Sequence, residues 1–141
     1  MNENKISEEA AEAQFETFLG YYGIEFKHIV IEDGAEAAES LKNMVVTAIR
    51  RGEVEVNINN EDLEIIQHLS RKTEKLDRIV YSDKIQKGLL AMDKVSPKHT
   101  QGRRFAFMSV LTDLPVSSLL QLKGRDSVVF SRLTTVFSMA M

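Results

Sequence analysis

The apolar residues of this chain change period twice, and that switch limits the architecture more than any other feature. Ala11, Phe15, Phe18, Leu19 and Tyr22 recur at helical spacing, as do Leu41, Met44, Val45, Ala48 and Ile49. Between residues 53 and 58 the spacing becomes alternate, with Val54, Val56 and Ile58 on one side and Glu53, Glu55 and Asn57 on the other. From Ile85 onward the helical period returns and persists to Phe137. A stripe of period 3.6 does not lie flat on a sheet, and an alternating one does not form a helix face. The expectation is therefore α+β: a small antiparallel sheet with flanking helices and a helical C-terminal subdomain. The 141 residues fit one domain, with an α/β part over about 1–81, a linker over about 82–102 and a helical part over about 103–141.

Local signals place the elements. A helix is expected over 8–22, capped by Ser7, with Glu8, Glu9 and Glu12 at the positive end of its dipole and Gly23 as its stop. The β-rich run FKHIVI at 26–31, bounded by Glu32-Asp33-Gly34, reads as a strand. A second helix over 35–51 ends with Arg50, Arg51 and Gly52. Asn59–Asp62 supplies turn residues, so 54–58 and 63–69 read as a hairpin, with a helix over 63–71 as the competitor. A short strand over 77–81 follows the charged loop Arg71–Lys75. Helices are then expected over 84–93, over 101–113, briefly after Pro115, and from a cap at Asp126 through Val129, Phe130, Leu133, Val136 and Phe137.

The net charge of −3 conceals a division. Residues 1–70 hold 15 acidic and 5 basic side chains, a balance of −10; residues 71–141 hold 6 and 13, a balance of +7. Such a split has three readings: ion pairing inside the fold, a nucleic-acid face in the second half, or head-to-tail contact between copies.

Catalytic chemistry leaves no signature in the chain. There is no cysteine, which excludes disulfides, thiolate metal sites and a thiol nucleophile. His28, His68 and His99 lie far apart, and no two share a metal-ligand spacing. The seven glycines are scattered singly, so no Gly-rich phosphate cradle is written, and the G-x-S-x-G elbow is absent. The Glu8, Glu9, Glu12 and Glu16 cluster reads as a solvated helix face, and Asn59–Asp62 lacks the spacing of a calcium loop. No enzyme, no cofactor and no metal is the expectation. No apolar run reaches the length of a membrane span, and the polar, acidic opening residues are unlike a signal peptide, so a cytoplasmic location is expected.

Two stretches remain. Lys94–Arg104 gathers Lys94, Lys98, Arg103 and Arg104 with His99, a loop able to contact phosphates, which supports a small nucleic-acid-binding regulator as the alternative function. The run Leu111–Phe137 is helix–turn–helix-like, but its last helix offers Asp126, Ser127, Ser131, Arg132 and Thr135, a poor face for the major groove. A compact helical unit is the better reading. Its apolar end either closes the core or engages a partner, and Phe130, Leu133, Phe137 and Met139 are the expected contact residues in the second case.

That C-terminal run resembles the small tail assembly chaperones of long-tailed bacteriophages and prophages. Those proteins commonly close with L-T-G-L-P, a short helix, a leucine, an Asp and an apolar helix ending in Phe. Here the pattern stands as Leu111-Thr112-Asp113-Leu114-Pro115, then Leu119, Leu120 and Leu122, then Asp126 and Val129 to Phe137. The Ile49-Arg50-Arg51-Gly52 helix end followed by a hairpin is similar in layout. The clear likeness covers about 35 residues of the C-terminus, and the N-terminal forty or so match no pattern. The resemblance implies a non-enzymatic protein of the bacterial host cytoplasm, self-associating as a homo-oligomer. It would coat the apolar tape-measure protein, recruit tail-tube protein, and bind neither membrane nor nucleic acid. An extended form made by translational frameshifting is common in that family.

Overall fold

The computed structural model describes residues 4–59, 62–72 and 76–139. Among these, the elements run α1 (Glu8–Tyr21), α2 (Phe26–Asp33), α3 (Ala35–Arg50), β1 (Val54–Asn59), β2 (Asp62–His68), β3 (Arg78–Tyr81), α4 (Ile85–Asp93), α5 (Thr100–Thr112), α6 (Val116–Leu119) and α7 (Arg125–Ser138). The fold is α+β with a small antiparallel sheet, as the change of period requires.

The strands lie in the order β1-β2-β3, both pairs antiparallel. Val54 pairs with Gln67 and Val56 with Ile65; across the other ladder Gln67 faces Ile79 and Ile65 faces Tyr81. One face of the sheet therefore carries Val54, Ile65, Gln67, Ile79 and Tyr81, all buried. Helices α1, α3 and α5 pack on the sheet, and α7 packs on α3. The tip of the hairpin, Asn60 and Glu61, lies outside the described residues, as do Thr73–Lys75 of the charged loop and Ala140 and Met141.

Ser7 caps α1, its hydroxyl accepting from the Ala10 amide at 3.1 Å. The helix buries Ala11, Phe15, Phe18 and Leu19, and leaves Glu8, Glu9, Glu12 and Glu16 outside. The strand expected at 26–31 is a helix instead. Phe26, Ile29 and Val30 also fit a 3.6 period; Ile29 is buried and the other two pack against the core from one side, so the segment docks on α3. Its β-branched content argued for extension, but packing overrides propensity in so short a segment.

The stretch 82–102, expected as a linker, carries all of α4 and the start of α5, which form a tightly packed hairpin. Gly88 makes that approach possible. A Cβ there would stand 2.8 Å from the Phe107 ring. A single apolar cluster joins Ala11 on α1 to Phe137 on α7.

Candidate protein-interaction surfaces

Helix α7 is positioned by polar contacts at its start. Asp126, expected as the cap, lies in the first turn, and Gly124 holds the cap position. The buried Asp126 carboxylate reaches across to the end of β2, where it accepts from the Ser70 amide and hydroxyl and from the Arg71 amide at 2.7–2.9 Å. The Asp126 carbonyl accepts from Gln67 Nε2 at 2.9 Å, and the Tyr81 hydroxyl donates to Gln67 Oε1 at 2.6 Å. Gln67, Tyr81 and Asp126 are buried and each has a partner, as a core polar residue requires, while Ser70 and Arg71 are exposed at the edge of this network. Next to them Arg125 clasps Glu53 through two hydrogen bonds of 2.8 Å, and this bonding raises the guanidinium pKa further.

These anchors fix which side of α7 faces inward, and they correct the expected contact surface. Leu133 and Phe137 are fully buried and Phe130 nearly so. Phe137 packs against Phe18, Tyr22 and Tyr81 with ring centroids 4.9–5.3 Å apart, closing the core from the α1 side. Met139 is half-buried and packed against the same core. An apolar stripe on a terminal helix satisfies a fold before it satisfies a partner.

The outer side of α7 presents a different feature. A groove of about 290 Å³ runs between α5, the α6 segment and α7. Phe105, Met108, Leu119, Leu122 and Phe130 supply its apolar lining, and Ser127, Ser131, Thr134 and Thr135 contribute hydroxyl groups. Arg104 is the one charged residue that lines it, and Leu120 stands on it 63% exposed. Phe130 thus belongs to both core and groove. The sequence places Arg104 in a basic loop and Leu120 in a short helix without joining them, because the groove exists only once three separate segments meet.

No family model, curated protein or solved structure matches this chain.

The remaining candidate groups are placed apart from one another. His28 is exposed beside Glu25, His68 pairs with Glu55 at 2.9 Å on the solvent side of the hairpin, and His99 precedes α5. No group of three or more His, Asp or Glu among the described residues is arranged to hold a metal ion. No helix among them is long and apolar enough to cross a membrane. Burial raises the pKa values of the Tyr22 and Tyr81 phenols, which donate to the Ser82 carbonyl and to Gln67 Oε1.

Of the basic stretch, Arg103 bonds back to the Val95 carbonyl at 2.8 Å and stands 3.6 Å from Asp93, steadying the turn between α4 and α5. Lys94, Lys98, His99 and Arg104 are exposed around that turn. Among the described residues only the Glu53–Arg125 ion pair joins the acidic half of the chain to the basic half. Pairing inside the fold therefore leaves most of the charge division on the surface.

Proposed function

We propose that the protein is a non-catalytic tail assembly chaperone of a long-tailed phage or prophage. It acts in the bacterial cytoplasm, holding the tape-measure protein and tail components during assembly and self-associating as it does so. The observation that carries this reading is the groove formed by α5, α6 and α7, because the C-terminal run bearing the family resemblance supplies the α6 and α7 walls of it. A groove that combines apolar lining with hydroxyl groups and one arginine suits one face of an amphipathic helix, the helix-in-groove mode of recognition. Supporting it, Asp113 sits at φ 56°, ψ 34°, in the left-handed region. That is the conformation glycine favours, and the family pattern has glycine at this position.

Co-expression of the full chain with the tape-measure protein of the same phage or prophage tests the reading. The expected result is a soluble complex that co-purifies, with capture reduced about tenfold or more by Leu120→Glu at the groove. A client that stays insoluble with and without the chain rejects it.

A nucleic-acid-binding regulator is the second reading, favoured by the exposed Lys94, Lys98, His99 and Arg104 around one turn. Fluorescence titration with duplex DNA separates the two. Tight binding that weakens steeply with salt supports the regulator.

A further inference from the structure

We propose that the outward face of α4 docks antiparallel on the outward face of α1 in a second copy of this chain. This rests on the self-association in the reading above, and not on its client. The carrying observation is a match of charge, shape and spacing between the two helices.

On α4, Lys87, Leu90 and Lys94 follow one another at three and four residues, so they line one helix face. All three are exposed, and Leu90 is 66% exposed, an apolar knob between two ammonium groups. On α1, Glu9, Ala13 and Glu16 follow at four and three residues, again on one exposed face. The order of the gaps is reversed. With the helices antiparallel and Leu90 set over Ala13, Lys87 falls opposite Glu16 and Lys94 opposite Glu9. Each charged pair on its own helix spans about 10.5 Å, seven residues at about 1.5 Å rise, so both meetings occur together.

The face of α1 has room for the knob. Thr17 and Gly20 continue beyond Ala13 on the same open side, and a Cβ at Gly20 would meet nothing within 4 Å. Small residues flanked by carboxylates let a Leu-bearing helix approach closely while its lysines reach partners.

Within one chain the contact is not made. Glu9, Glu16, Lys87 and Lys94 form no ion pair among the described residues, and Leu90 stands in solvent. Asp93, next to Lys94, is exposed and lies 3.6 Å from Arg103, whose charge offsets its own. Each copy carries one donor helix and one acceptor helix, so two copies can exchange both contacts and close as a pair, or chain onward.

Multi-angle light scattering on the full chain, from about 1 to about 200 µM, tests this. At about 50 mM salt the expected mass exceeds the 16.0 kDa monomer, and it falls toward the monomer at about 500 mM. Glu9→Lys with Glu16→Lys, and separately Lys87→Glu with Lys94→Glu, should each be folded and monomeric. Mixing those two variants should restore the complex, because each then offers the complement of the other. Leu90→Ala should weaken association about tenfold. A mixture that stays monomeric, or a wild type whose association ignores both reversals, overturns this contact while leaving self-association standing. A wild type that is monomeric throughout overturns both. A monomeric chain that still holds the tape-measure protein overturns this inference and leaves the client reading intact.

Discussion

Asp126 Oδ1 lies 2.7 Å from the Ser70 amide nitrogen and 2.9 Å from the Ser70 hydroxyl, so one buried carboxylate ties the last helix to the end of the central strand. Asp126→Ala would leave the Ser70 and Arg71 donors without this partner. Both donors belong to exposed residues that water can reach, so the loss is that of the charged hydrogen bonds themselves, about 2 kcal/mol, against about 1 kcal/mol for Ser70→Ala. Urea unfolding followed by circular dichroism measures both. Equal and small losses would mean that the contact does not anchor α7.

Asp113 ends α5 in a left-handed conformation that costs a non-glycine residue about 1 kcal/mol. Asp113→Gly should therefore raise stability by about 0.5–1 kcal/mol, despite the greater freedom it gives the unfolded chain. Thermal unfolding reports the sign, and a lower midpoint would show that the Asp113 side chain contributes more than its backbone costs.

Gly88→Ala brings two effects into opposition. Alanine favours a helix interior by up to about 1 kcal/mol, but its Cβ would stand 2.8 Å from the fully buried Phe107 ring. Overpacking of this kind costs about 1–3 kcal/mol, and the ring has little room to retreat, so net destabilisation is expected. Combining it with Phe107→Leu should recover part of the loss, as chemical denaturation of the pair would reveal.

Burial pushes the Tyr22 and Tyr81 phenols above the ordinary tyrosine value of about 10. The folded state then holds these protons more tightly than the unfolded state. Their contribution is complete below pH of about 10 and declines above it, by about 1.4 kcal/mol per pH unit for each phenol. In an alkaline titration, the tyrosinate absorbance of this pair should appear together with loss of helical dichroism. Ionisation of all three tyrosines near the ordinary value, with the helices intact, would contradict their burial.

Much of the fold was written in the sequence wherever a single face had to be buried. The stripe of Leu41, Val45, Ala48 and Ile49 made α3 legible, and the alternation at Val54 and Val56 made the hairpin legible. Phe26–Asp33 was not, since its apolar residues satisfy both periods and only docking on α3 decides between them. The polar core was half legible. Gln67 follows Leu63 and Ile65 in the inward register of β2, so its burial was foreseeable, but its partner Asp126 lies 59 residues on. The groove was illegible for the same reason: Arg104, Leu120 and Ser131 meet only through tertiary packing.

The clasp between Glu53 and Arg125 spans 72 residues, and the links from Gln67 and Ser70 to Asp126 are nearly as long. During synthesis the strands therefore emerge well before the helix that secures them. At about 5–20 residues per second, Gln67 and Tyr81 wait several seconds for Asp126 and Phe137, although α1 and α3 are already made. Translation speed over the second half of the message thus sets how long the polar core of the sheet stands without the helix that completes it.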